Sequence, residues 1–324
     1  MEIALALGGG GIKGAAHIGV IDRLENLGFK IKAIAGTSAG GLMGAAYAAG
    51  KSPLQVLKAI QDIDSAEMYR RNPGDGPSLM GHSGLVNGLT NLIGGKEFKE
   101  LAIPFACTAV DLNSSREIYL REGKVIDAAL ATMAVPGILP PVRYADALLV
   151  DGGVLDPVPV QLARILAPNL PVVAVVLSPA PEKWDTLPRN HVLEAAAIPI
   201  PGLNPLLQGF SRLRVGQAIR IFSQSLDINT MMMTELRLKI DRPDVILRPD
   251  VAGIGMFDKI DLIGLVEAGR KAVDEQLRQL YREVSWRGKI DRLFRSYSSI
   301  HVPMVLRDTN PVTQTTSRLA NNDT

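Results

Sequence analysis

The chain has one cysteine among 324 residues, Cys107. No internal disulfide can form, and a reducing compartment, the cytoplasm, is expected. Cys107 lies in the apolar run Ile103 to Val110, where it reads as a small buried hydrophobe. No run approaches the ~18–20 apolar residues of a spanning helix, so contact with a membrane surface is the most that is expected. No basic segment precedes the first apolar run, so Ile3 to Leu7 is expected to be a first strand rather than a signal peptide. The formal net charge is only +2, which gives no electrostatic case for nucleic acid. Apolar residues are plentiful. They make up 47% of the chain, with a mean hydropathy of +0.15, ample for a sizeable core.

The opening of the chain reads strand, glycine loop, helix, strand, helix. Ile3 to Leu7 runs into Gly8-Gly9-Gly10-Gly11-Ile12-Lys13-Gly14. A helix follows from Ala15 to Leu27, with Val20, Ile21, Leu24 and Leu27 on one face and Gly28 to end it. Ile31 to Ala35 is the second strand, and Gly41 to Ala49 the second helix. This order implies a parallel sheet covered on both faces.

Between that strand and helix sits Gly36-Thr37-Ser38-Ala39-Gly40, a G-x-S-x-G pattern. So tight a turn strains its middle residue, and only small residues two positions either side avoid a clash, hence Gly36 and Gly40. The turn pushes the Ser38 hydroxyl out at a strand end and faces the Ala39 amide toward it. A nucleophile and an oxyanion donor are two parts of an acyl-transfer site.

The glycine loop has three readings. A Walker loop fails, because Lys13 is flanked by Ile12 and Gly14. A dinucleotide fingerprint matches formally through Gly9, Gly11 and Gly14, but the second strand ends without the carboxylate that would hold a ribose. The third is an anion cradle, glycine amides at a helix N-terminus, placed beside Ser38 if the first two strands are neighbours.

Further along, Ser52 to Ile63 patterns as a helix with Leu54, Leu57 and Ile60 inward. Ser65 to His82 is a long loop, either a lid or a surface excursion. Gly84 to Ile93 and Val125 to Met133 are short helices, and Ile103 to Val110 and Glu117 to Leu120 are strands. Ala147 to Val150 is a strand that ends in Asp151-Gly152-Gly153. Taken alone, that aspartate is a turn former or a catalytic carboxylate. Val160 to Leu166 is a helix and Val172 to Leu177 a buried strand. Ser178 to Phe210 is rich in proline and apolar residues, either a packed excursion or a lid. Ser211 to Leu238 is a long helix whose Met231-Met232-Met233 cluster reads as core filler. Val245 to Leu247 is a last strand, and Lys259 to Arg282 a final long helix.

Ser38 needs a base. The four histidines are His17, inside the first helix and read as a packed core residue, His82 and His191 in loops, and His301 near the chain end. None falls at the carboxyl end of a strand, where a base would have to be, and Asp151 does. A serine activated directly by a carboxylate follows, with burial raising the basicity of the aspartate.

Gly9-Gly10-Gly11-Ile12-Lys13-Gly14, Gly36-Thr37-Ser38-Ala39-Gly40 and Asp151-Gly152-Gly153, in this order and at these separations, resemble the patatin-like phospholipase family, in particular its short bacterial members. His17 to Val20, Thr108 to Leu112 and the loop Ala134 to Pro141 share the likeness. It covers about residues 1–180 closely and the helix near Asp258 to Ala272 loosely. The resemblance implies a three-layer α/β/α fold with a mainly parallel central sheet. It also implies a serine–aspartate dyad that hydrolyses fatty acyl esters of lipids with no metal or cofactor. By position, Ser38 is the nucleophile and Asp151 the base. The amides of Gly9, Gly10 and Gly11 form the oxyanion hole, Lys13 and Gly14 support the loop, and Gly36 and Gly40 frame the elbow. Asp156 stands where many relatives carry asparagine, and no role is placed on it. Residues 1–282 read as one such domain: core 1–180, insertion 178–210, then helices. Residues 283–302 read as a helical extension and 303–324 as a polar, disordered tail. The expected partner is a phospholipid or other fatty acyl ester. An acyltransferase or thioesterase on the same site, or a regulatory binding protein that retains it, are the alternatives. Oligomeric state is not legible.

Overall fold

The computed structural model describes residues 1–62, 76, 78–81, 83–186, 205–251, 261–294 and 304–305. Most of the two loops expected as lids, the histidines 82, 191 and 301, and nearly all of the tail lie outside the described residues. The elements run β1 (Glu2–Leu7), a 3₁₀ turn (Gly11–Ala15), α1 (Ala16–Asn26), β2 (Lys30–Gly36), α2 (Ala39–Ala48), α3 (Pro53–Gln61) and α4 (Ser83–Ile93). Then come β3 (Phe105–Asp111), β4 (Arg116–Leu120), α5 (Val125–Thr132), β5 (Val142–Tyr144), β6 (Ala147–Asp151), α6 (Val160–Leu166) and β7 (Val172–Val175). The chain continues with α7 (Pro205–Asp241), β8 (Val245–Leu247), α8 (Leu262–Glu275), α9 (Leu277–Val284), α10 (Trp286–Phe294) and β9 (Met304–Val305).

Helices cover both faces of one mixed sheet, and the alternation along β1 shows why. Ile3, Leu5 and Leu7 face a core built with α1, α2 and α5. Ala4 and Ala6, with Ala33, Ala35 and Ala174, face the other way, against Val160, Leu162 and Ala163 of α6 and Leu238 of α7. Large residues on one face and alanines on the other let α6 pack close to the sheet. β2 departs from strict alternation. Its register to β1 slips between Ile3/Ile31 and Ala4/Ala33, so Lys32 is the extra residue, exposed and 3.7 Å from Glu2.

The parallel part of the sheet runs β3-β2-β1-β7-β8, while β4 and β6 are antiparallel to β3. β3 organises the site. Residues Cys107 to Asp111 pair with β4. β2 also pairs with Cys107, and β6 with Ala109 to Asp111. A strand has two edges, so β2 and β6 must both lie on the edge opposite β4. They run toward each other along it, and their carboxyl ends meet.

Several element boundaries differ from expectation. α3 starts at a capping box of Ser52 and Gln55; Leu57 and Ile60 pack on the core beside the buried Val56, while Leu54 is 73% exposed. The final long helix is two, broken at Gln276 (φ −107°, ψ 11°), and α10 follows. Met232 is exposed rather than core, because it lies on the outer face of α7. Met304–Val305, at the start of the tail, pair with Ile118 and Tyr119 of β4. No helix of the described residues is long and apolar enough to cross a membrane.

Candidate active site

Ser38 sits between β2 and α2 with φ 53° and ψ −122°, a conformation few non-glycine residues adopt. The neighbouring glycines make it sterically feasible. A Cβ on Gly36 would come 2.5 Å from the Gly40 carbonyl oxygen, and one on Gly40 would come 2.1 Å from that of Leu7. The start of α2 is thus pressed against the end of β1, whose Leu7 pairs with Gly36. The Ser38 N–H donates to Thr132 Oγ1 at the end of α5 (2.9 Å), which ties the elbow from below.

The glycine loop leaves β1 beside this turn. A Cβ on Gly9 would lie 3.3 Å from Ser38 Cβ, and one on Gly14 would lie 2.6 Å from Ala39 Cβ. Gly8 N–H donates to Val175 O and Gly9 N–H to Pro157 O, both at 2.9 Å. Lys13 N–H donates to Gly10 O at 3.2 Å, opening the 3₁₀ turn that leads into α1. Of the three amides expected to face an oxyanion, that of Gly9 is therefore occupied. Those of Gly10 and Gly11 meet no acceptor among the described residues. The Lys13 ammonium is within electrostatic reach of Asp227 on α7.

Asp151 ends β6 and is 5% exposed. Its Oδ1 accepts the Gly153 N–H at 2.7 Å, and its carboxyl lies near enough to the Ser38 side chain to be influenced by it. Burial pushes its pKa up to about 6, and the Ser38 side chain and the Gly153 amide keep it from rising further. Ser38 and Asp151 thus converge from strand ends opposite Cys107 and Ala109.

Several supports were not legible as site residues. Thr37 Oγ1 donates to the Asp156 carbonyl and pairs with Thr108 Oγ1, each at 2.8 Å, which links the elbow to the loop after Asp151. The fully buried Asp156 carboxyl lies 2.9 Å from Arg237 of α7, which also meets Asp241 at 3.0 Å and Glu117 at 3.5 Å. Burial first, then the neighbouring Glu117, holds the Asp156 carboxyl well above the ordinary range. His17 is buried as expected, yet its Nε2 lies 2.8 Å from the Gly8 carbonyl oxygen. Cys107 is buried in β3, its thiol directed at the Ala128 carbonyl, and burial pushes its pKa up. No group of His, Cys, Asp and Glu among the described residues is arranged to hold a metal ion.

A three-layer α/β/α domain, with a strained serine turn and a buried carboxyl at converging strand ends, defines the class. Residues 5–164 match the family model of the patatin-like phospholipase, and this part of the chain belongs to that family. An uncharacterised NTE family protein of Mycobacterium bovis is 32% identical over 159 residues, covering 49% of this chain and 44% of that protein. A second from the same organism is 28% identical over 282 residues, 86% of this chain and 46% of that protein. Lysophospholipase nte1 of Aspergillus fumigatus is 29% identical over 175 residues, 48% of this chain and 10% of that protein. The chain thus spans less than half the length of these relatives. Among solved structures, VipD from Legionella pneumophila covers 86% of this chain and 66% of its own at 12% identity. The TM-score of 0.44 is too low for that likeness to bear on function.

Proposed function

We propose that this chain hydrolyses fatty acyl esters of lipids, of the phospholipid or lysophospholipid type, through an acyl-serine intermediate on Ser38. The observation that carries the reading is the buried Asp151 carboxyl placed beside the Ser38 side chain, near enough for that side chain to lower its pKa. The patatin-like family and the lysophospholipase named among the relatives support the substrate class.

In this reading Asp151 accepts the hydroxyl proton as Ser38 Oγ attacks the ester carbonyl. A carboxylate with a pKa near 6 is a better base than an exposed one and is still mostly ionised at pH 7. The negative charge that develops on the carbonyl oxygen meets the unoccupied amides of Gly10 and Gly11. The Ala39 amide, the first of α2 and without an intrahelical partner, adds a further donor. Gly9 contributes by lacking a side chain, which lets the loop pass against Ser38. Lys13 and Gly14 hold the far end of the loop. Asp151 then returns the proton to the departing alcohol and activates the water that releases the fatty acid.

The test is fatty acid release from phosphatidylcholine and lysophosphatidylcholine of defined chain length, followed by mass spectrometry. Wild type should release fatty acid, Ser38→Ala should release none, and Asp151→Asn should be slower by about 10²–10⁴-fold. Release that survives Ser38→Ala would reject the reading.

A further inference from the structure

We propose that His17 is a positioning residue for the oxyanion loop: its imidazole N–H holds the Gly8 carbonyl and so aims the Gly10 and Gly11 amides at the reacting carbonyl. This inference rests on the acyl hydrolase reading.

His17 is the second residue of α1 and is fully buried. Its Nε2 lies 2.8 Å from Gly8 O. A carbonyl oxygen can only accept, so Nε2 carries the hydrogen and Nδ1 the lone pair. Nδ1 is buried and has no hydrogen-bond partner among the described residues. Desolvation lowers the imidazole pKa to about 4 despite the bond to Gly8, so the ring is neutral and its tautomer fixed near pH 7. An apolar side chain could fill this space without burying an imidazole or stranding a ring nitrogen. Among the described residues, the one polar interaction the ring makes is with Gly8.

That interaction falls at a decisive peptide. The Gly8 carbonyl and the Gly9 N–H belong to one peptide unit. His17 holds the carbonyl side, Pro157 O holds the N–H side at 2.9 Å, and Val175 O holds the Gly8 N–H just before it. Consecutive glycines have no intrinsic preference that would fix this orientation. Beyond it, the bond from Lys13 N–H to Gly10 O pins the loop again. The Gly10 and Gly11 amides lie between these anchors, directly after Gly9, where the loop passes Ser38. Donors placed in advance stabilise charge without reorganising, and a small misplacement is costly.

Two measurements test this. In wild-type protein, ¹⁵N NMR of the His17 ring should show the Nε2–H tautomer. The Nδ1–H tautomer would overturn the proposal, and this readout needs no variant to fold. The second compares His17→Leu, which removes the donor, with His17→Gln, whose side-chain amide can reach a similar position. With a soluble p-nitrophenyl ester, His17→Leu should lose about 10–100-fold in kcat with KM changed less than about threefold, and His17→Gln should recover about tenfold. Hydrogen exchange across residues 8–14 should quicken in His17→Leu and be restored in His17→Gln. An active wild type whose folded His17→Leu keeps its kcat and its exchange protection would overturn the proposal alone. A wild type inert toward every ester would instead reject the hydrolase reading.

Discussion

Gly36 and Asp151 end two strands that meet along one edge of β3, opposite Cys107 and Ala109. Two residues of β3 span about 7 Å. The elbow and the carboxyl are therefore set at that spacing by the backbone ladder before any side chain is placed. Rigid strands position a site more accurately than loops do, and here two of them point at the same place.

The buried carboxyl predicts the pH dependence of activity. If Asp151 must be ionised to accept a proton, kcat/KM for a soluble ester should fall about tenfold per unit below pH 6 and level off above it. A profile flat from pH 5 to 8 would remove Asp151 from the role of base.

The same group makes a prediction about stability. Its folded pKa of about 6 lies above the ordinary 3.8, so the folded state binds the proton more tightly. Its contribution therefore becomes less favourable as pH rises from about 4 to 6, and above 6 the buried charge is a net cost. Asp151→Asn should stabilise the protein by about 1–3 kcal/mol at pH 8, and the gain should vanish near pH 4. Urea denaturation at both pH values would show it.

The elbow glycines predict a packing failure. Alanine at Gly40 would bring Cβ to 2.1 Å from the Leu7 carbonyl oxygen, which is backbone in a central strand and cannot yield cheaply. Gly40→Ala should cost at least about 2–3 kcal/mol or prevent folding. A melting temperature equal to wild type would show that β1 and α2 are less tightly apposed than described.

Arg237 supplies the cation for three buried carboxyl groups, Glu117, Asp156 and Asp241. Arg237→Met should cost about 3–5 kcal/mol, because it strands charge in a dry site. Adding Asp156→Asn should recover more than about 1 kcal/mol of that loss. Strict additivity of the two substitutions in chemical denaturation would mean the groups do not interact.

Much of this was legible in the sequence because it is local. Ser38 is announced by glycines two residues either side, and Asp151 by an apolar run before it and two glycines after. The alternation in Ile3 to Leu7 and the seven residues of Val160 to Leu166 needed no tertiary information. The head-on approach of β2 and β6 did, since strand pairing is set by partners more than 40 residues apart and periodicity is blind to direction. The Arg237 cluster draws on β4, the loop after Asp151 and α7, and no spacing rule joins them. His17 shows the sharpest limit. A histidine among alanines and glycines reads as core, which it is, and its bond to the Gly8 carbonyl has no sequence signature. Leu54 and Met232 erred because an apolar residue at helical spacing can face outward as readily as inward at the edge of a stripe.

The central claim is that Ser38 is an activated nucleophile. The most direct measurement is labelling with a fluorophosphonate probe, then peptide mapping of the adduct, on wild type, Ser38→Ala and Asp151→Asn. One adduct is expected, on Ser38, absent from Ser38→Ala and formed at least about 100-fold more slowly in Asp151→Asn. A folded wild type that takes no label, or a label that persists in Ser38→Ala, would contradict it.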